Sequence, residues 1–267
     1  MNVELEMLMA RRTLCGKDWA GVGKRPINDP FSRLYWLVSG EAFVTHHERT
    51  YHLRPGSLYL IPGHSTCYYQ CPERMDLLWC HFTAKVFAGM DVFEMYPCDY
   101  EVDVPQAECK TVQQAWLRLV ELFDQPGFAA RFEADSLLRI FVSRFLRTID
   151  TEAEASRRGA YERLRPALEH IEKNLDAAIT LDQLGRLMNL QSTYFSNLFA
   201  KHIGMPPKKY ILWRRVKEAQ SLLRSTSLPI KEIAGRLGFG NEFYFSRAFS
   251  RLAGVPPTAY RARAEIE

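Results

Sequence analysis

Apolar residues change their spacing along this chain, and each change marks a different kind of element. From Phe31 they fall in short runs with strand character: Leu34–Val38, Glu41–Val44, Arg49–Leu53, Leu58–Ile61, Cys67–Gln70 and Leu77–Phe82. Ser39-Gly40, Arg54-Pro55-Gly56-Ser57 and Pro62-Gly63 punctuate them, and His46-His47-Glu48 is expected at a solvent-facing hairpin tip. Short strands with turns every eight to twelve residues or so predict a barrel or double-sheet sandwich. The period then lengthens to that of a helix. Val112, Trp116, Leu119, Val120 and Phe123 form one stripe within Glu108–Phe123, and Leu137, Leu138, Phe141, Phe145 and Ile149 another within Phe132–Ile149. Asp150–Gly159 has no apolar stripe and reads as a linker, while residues 1–30, with their glycines and prolines, read as an arm with short strands at most. Tyr161–Leu175 opens a helical second half.

That second half contains a repeat. Shifted by 50 residues, eight of the 17 positions from Tyr194 to Tyr210 recur identically: Tyr194/Tyr244, Phe195/Phe245, Ser196/Ser246, Phe199/Phe249, Gly204/Gly254, Pro206/Pro256, Pro207/Pro257 and Tyr210/Tyr260. Unrelated segments would share about one, so this is a duplicated unit. In each copy Phe195, Leu198, Phe199 and Ile203, or Phe245, Ala248, Phe249 and Leu252, fall on one helical face. The opposite face holds Thr193, Ser196, Asn197 and Ala200, or Phe243, Ser246, Arg247 and Ser250. Gly204 and Gly254 stop the helices, and the following prolines bar their continuation. Ahead of each lies a shorter amphipathic piece: Leu181–Met188, capped by Thr180 and turning at Asn189-Leu190, and Ile230–Leu237, opened by Pro229 and turning at Gly238-Phe239. Short helix, tight turn and second helix make a helix-turn-helix, whose second helix enters a DNA major groove. Lys208–Ser225 joins the units with no internal Gly or Pro. At 1.5 Å per residue such a rod spans roughly 27 Å, close to the ~34 Å of one duplex turn.

Charge sharpens this picture. Residues 157–267 hold 19 Lys+Arg against 10 Asp+Glu, whereas residues 1–156 hold 16 against 21. A basic C-terminal half beside a mildly acidic one suits a DNA reader attached to a separate module. All six cysteines lie in the first half at irregular spacings and read as buried reduced thiols, with a Cys67–Cys71 redox pair or a soft-metal site as the alternative. No run approaches 18 uninterrupted apolar residues, and the acidic start lacks the features of a signal peptide, so a cytoplasmic protein with no membrane partner is expected. There is no phosphate-cradling loop and no nucleophile with a recognisable base, and the adjacent residues His46 and His47 would point to opposite faces of a strand, so neither an enzyme, a cofactor nor a metal is expected.

Residues 161–263 resemble the DNA-binding domain of the AraC/XylS family of transcription regulators. The resemblance runs through Leu184-Gly185, Tyr194–Phe199, Ile233-Ala234, Gly238-Phe239, Tyr244–Phe249 and Gly254–Arg261. Gly185 stands where alanine is usual in the family, and Asn197 where a basic residue is common. The turns at Ser39-Gly40, Leu53–Ser57 and Ile61–His64, with Trp79-Cys80-His81-Phe82, are similar to the family's cupin-like sensor barrel. The expected fold is therefore α+β with two domains: a cupin-like barrel or sandwich with two following helices at 1–150, a linker at 151–160, and an all-α double helix-turn-helix domain at 161–267.

What the resemblance implies is a sequence-specific transcriptional regulator, an activator more often than not in this family. Its implied partners are double-stranded DNA, RNA polymerase, a second copy of itself through the two post-barrel helices, and a small-molecule effector, with a sugar as one candidate. Outward-facing geometry and the family pattern agree on Thr193, Ser196 and Asn197 in the first unit and Glu242, Phe243, Ser246 and Arg247 in the second. Arg247 suits guanine, Asn197 adenine, Glu242 a cytosine amine and Phe243 a thymine methyl. Lys201 and Arg251, with Lys208, Arg214 and Arg261, are expected on phosphates. Trp36, Tyr68, Trp79 and His81 are the effector-binding candidates, Trp79 and Tyr68 occupying the family's aromatic contact positions. Ser39 stands where the arabinose-binding member has an arginine. A sensor that acts mainly through a protein partner, or through redox or metal chemistry, is the competing reading.

Overall fold

The computed structural model of the chain describes residues 3–19, 28–86 and 89–264. Its contacts group into two compact units that change over between Thr151 and Glu152. The first holds strands β1 (Glu4–Cys15), β2 (Ser32–Gly40), β3 (Ala42–His46), β4 (Arg49–Leu53), β5 (Ser57–Ile61), β6 (Tyr68–Gln70), β7 (Met75–Val86), β8 (Met90–Asp91) and β9 (Glu101–Asp103). Its helices are α1 (Val92–Met95), α2 (Cys109–Phe123) and α3 (Phe128–Leu146). One antiparallel sheet runs β1-β7-β2-β5-β9 with β8 beside β7, and a smaller one runs β4-β3-β6. Tyr35, Leu37, Tyr59, Ile61 and Leu77 of the large sheet meet Val44, Tyr51, Leu53 and Tyr69 of the small one in a shared core. The α+β sandwich expected from the sequence is present.

Three local expectations change. The N-terminal stretch forms a twelve-residue strand, because β7 is equally long and pairs with it from Glu4↔Lys85 to Cys15↔Met75 across a bulge at Met7/Met9. Ala20–Ile27 of the expected arm lies outside the described residues. At the β3–β4 hairpin, His47 and Glu48 form the tip at φ 48° and 62°, but His46 points inward and is only 1% exposed. Its ring stacks 4.8 Å from that of Tyr51 and lies 4.9 Å from that of Tyr100. The α3 helix starts at Phe128, four residues before the expected Phe132, and ends at Leu146, three before the expected Ile149. Both α2 and α3 pack on the large sheet, with Trp116 and Phe141 stacked between them at 4.8 Å.

The second unit is helical: α4 (Thr151–Lys173), α5 (Leu181–Leu187), α6 (Ser192–Ile203), α7 (Pro207–Ser225), α8 (Ile230–Arg236), α9 (Glu242–Ala253) and α10 (Pro257–Ala264). The stretch 151–160, expected as a linker, is the exposed start of α4, whose later turns bury Tyr161, Leu164, Leu168 and Ile171. Capping follows the sequence closely. Thr180 and Gln183 close a capping box on α5, and Asn241 Oδ1 accepts from Tyr244 N at the start of α9. Gly204 and Gly254 end α6 and α9 at φ 81° and 77°, a left-handed turn that costs a side-chain-bearing residue more.

The two helix-turn-helix units share one backbone device. In each, an amide reaches five residues back, Leu190 N to Gly185 O at 2.8 Å and Phe239 N to Ala234 O at 3.0 Å. Gly185 and Ala234 are thus equivalent, yet a Cβ at 185 would lie 2.8 Å from Leu190 O and 3.3 Å from Ser192 Cα. The first turn closes more tightly than the second. Gly185→Ala is therefore expected to destabilise the unit by about 1 kcal/mol, the clash outweighing the helix-propensity gain. Urea unfolding checks this, and a stabilised variant would mean that the turn opens freely.

Candidate nucleic-acid interface and sensor interior

The candidate reading surface follows from helical periodicity. In α6, Phe195 and Phe199 are fully buried, which turns Thr193, Asn197 and Lys201 outward with Ser196 half-exposed beside them. In α9, Phe245, Ala248 and Phe249 are buried, which turns Phe243, Arg247 and Arg251 outward, with Glu242 exposed and Ser246 half-exposed. Thr193/Asn197/Lys201 and Phe243/Arg247/Arg251 are the same stripe, spaced four residues apart on each helix. Phe243 is 85% exposed, which no packing role explains. Lys201 and Arg251 sit in the last turns of their helices, where the helix dipole favours cations. Between the stripes runs α7, 19 residues and roughly 28 Å long.

Two residues on this surface were not singled out from the sequence. Tyr194 and Tyr244 are 59% and 54% exposed and flank the stripes at matching positions. The available signal was an aromatic that recurs in both copies outside the apolar face. Two expected phosphate contacts are corrected. Arg214 is buried, and its guanidinium holds Glu172 of α4 bidentately at 2.6 and 2.7 Å. Arg261 is half-buried and donates to Leu228 O. Lys208 stays exposed.

The sensor candidates divide by strand face. Cross-strand register sets Tyr35 opposite Trp79 and Tyr59, and Arg33 opposite His81 and Ile61, so these side chains face the small sheet. Trp79 and His81 therefore point into the sandwich, their rings 4.5 Å apart, and Phe31 stacks on His81 at 4.4 Å. Trp36 and Tyr68 do not join them. Trp36 pairs with Leu58 and Leu78 on the opposite face, under the helices, and is 2% exposed. Tyr68 alternates with the buried Tyr69 and faces outward at 49% exposure.

The inward residues that the sequence reading passed over are Arg33, Tyr35 and Tyr69. Trp19 sets its ring edge-on to Tyr35 and Tyr69 at 5.9 and 4.9 Å. Arg33 is buried against Asp29 in an ion pair, with its guanidinium 4.9 Å from the Phe31 ring and 5.9 Å from Tyr69. Tyr69 is held protonated by burial, its pKa raised well above the usual phenol range. This end of the sandwich thus offers aromatic faces, a phenol, an imidazole and a paired cation. A separate cleft of about 300 Å³ is lined by Arg49, Tyr51, Asp99, Tyr100, Glu101 and Asp103.

All six cysteines are free thiols. Burial pushes Cys67 up to about 11 and Cys98 to about 12, and raises Cys80 further, so these remain protonated and weakly nucleophilic near neutral pH. Among the described residues, no group of three or more His, Cys, Asp or Glu side chains is placed to hold a metal ion.

Comparison with known proteins agrees with this division of labour. A model described as an AraC-like ligand binding domain matches residues 29–142, and a helix-turn-helix domain model matches residues 184–263. The raffinose operon transcriptional regulatory protein of Pediococcus pentosaceus is 25% identical over 215 residues, 78% of this chain and 76% of that protein. The Msm operon regulatory protein of Streptococcus mutans is 20% identical over 239 residues, 85% and 83% of the two chains. The crystal structure of ToxT from Vibrio cholerae O395 shares the fold at a TM-score of 0.57 and 14% identity, over 98% of this chain and 97% of that one. With its two parts matched in the same order, the chain belongs to the AraC/XylS family of DNA-binding transcriptional regulators, with a ligand-binding domain ahead of its helix-turn-helix domain.

Proposed function

We propose that this regulator lays α6 and α9 in successive major grooves on one side of a duplex. Thr193, Ser196 and Asn197 read bases through the first helix, and Glu242, Phe243, Ser246 and Arg247 through the second. Lys201 and Arg251 neutralise phosphates, setting affinity and salt dependence rather than sequence preference. The observation that carries this reading is the duplicated outward stripe, polar or unsupported by packing, 50 residues apart on helices whose other faces are buried.

The effector is assigned to the sandwich interior at Trp79 and His81, joined by Tyr35, Tyr69 and Arg33 in place of Trp36 and Tyr68. Aromatic faces beside hydrogen-bonding groups suit a sugar, and the raffinose-operon relative supports that class. Occupancy there is coupled to how a homodimer places its reading helices. The exposed Phe128, Phe132 and Ile140 on α3 and Leu117 on α2 support pairing through these helices. An activating output through RNA polymerase, in the bacterial cytoplasm, rests on the family alone. No helix among the described residues is long and apolar enough to cross a membrane.

Arg247→Ala tests the DNA assignment. The side chain is exposed, so the fold is expected to survive while discrimination at one base pair falls by about 1–3 kcal/mol, about fivefold or more in relative affinity. Selection from a random duplex library reads this position by position. An unchanged base preference at every position removes Arg247 from the readout. If the output ran mainly through a protein partner, salt titrations on selected and random duplex would coincide.

A further inference from the structure

We propose that Arg215 is a positioning residue that fixes the angle between the two reading helices; this rests on the assignment of α6 and α9 as the DNA-contacting helices. Arg215 lies midway along α7, and its guanidinium splits sideways from the rod. Nη1 donates to Gly238 O at 3.1 Å, in the turn of the second helix-turn-helix unit. Nη2 donates to Ala177 O at 2.6 Å, in the loop that leads from α4 into the first. The two turns of chain are also in direct backbone contact. Gly238 sits at φ 65°, and a Cβ there would lie 2.6 Å from Asp176 O and 2.8 Å from Arg215 Nη2. Residues 176–177, 215 and 238 therefore meet at one junction that has no room for a side chain at 238.

The mechanical consequence follows from shape. The rod fixes the separation of the two units, and the second is packed on it through Val216, Ala219 and Leu223. An attachment off the rod's axis that joins the two units directly further restrains their rotation and splay relative to each other. Arginine suits the task because its planar fork carries donors that diverge toward two carbonyls at once, which a lysine ammonium on a flexible stem does poorly. The neighbouring Arg214 grips Glu172 of α4, so the loop that Arg215 holds is itself anchored from behind. The angle matters because one base pair of misregister rotates a groove by roughly 34° about the duplex axis.

The test uses the full-length chain and the duplex that the wild type selects from a random library, alongside the same duplex with one base pair inserted between the two contacted grooves. The wild type is expected to lose about tenfold or more in affinity on insertion, because one helix can no longer engage while the other is seated. R215A is expected to bind the uninserted duplex about tenfold more weakly, yet to lose less than about threefold on insertion, with base preferences inside each groove unchanged. R215K should fall between the two, and G238A, which crowds the same junction from the other side, should behave as R215A does. A merely structural role would lower affinity and melting temperature but leave the insertion penalty intact. A folded R215A that keeps the full penalty overturns the proposal; should R215A not fold, R215K and G238A keeping it does so instead. Failure of the wild type to select any duplex would overturn the DNA-reading assignment, a separate result.

Discussion

Phe249→Ala is expected to destabilise the second unit by about 3–5 kcal/mol, the usual cost of removing a buried phenylalanine from a packed core. The ring is fully buried, 5.7 Å from Phe245 and 5.4 Å edge-on from Tyr260, so it ties α9 to the start of α10. Calorimetry should show the transition of this unit lowered by about 10 °C or more. Phe243→Ala, on the same helix but 85% exposed, supplies the contrast. It is expected to change stability by less than about 0.5 kcal/mol while weakening DNA binding. Equal thermal costs for the two variants would mean that the inward and outward faces of α9 have been misassigned.

Acidification is expected to weaken the first unit through His46. Burial, aided by the neighbouring His47 and Arg49, holds its pKa down to about 4, so the folded state keeps a neutral ring between Tyr51 and Tyr100. The unfolded chain takes up a proton near pH 6.5. Because the folded pKa is the lower one, stability is complete above about pH 6.5 and falls as pH drops toward 4, by up to about 3 kcal/mol. His46→Phe retains the stack and removes the titration, so its stability should decline less steeply over that window. Parallel pH profiles for variant and wild type would exclude His46 as the source.

The helical half was legible because its amphipathic period survives in the sequence. Phe195, Phe199, Phe245 and Phe249 announce their face, and the glycine and proline punctuation announces where each helix ends. The sandwich was legible as strands but not as faces. Ser32–Leu37 is buried on both sides, so no polar alternation distinguishes Tyr35 from Trp36, and the choice between them depends on pairing with β5 and β7. The same one-residue ambiguity separated Tyr68 from Tyr69. The first strand was missed because its regularity comes from a partner some seventy residues away, and the start of α4 because an exposed helix needs no apolar stripe when its later turns supply the anchor. Arg215 could not be found from sequence at all, since its two acceptors are backbone carbonyls of residues remote along the chain.

The outward stripes of α6 and α9 share a scaffold but not a chemistry: threonine, asparagine and lysine on one, phenylalanine and two arginines on the other. A pair of identical subunits related by a two-fold axis sees the same thing whichever way round it lands on a palindrome. Two unlike grips in tandem do not. On the proposed placement of α6 and α9, one molecule so built has a front and a back on the double helix, so the site it recognises has a direction.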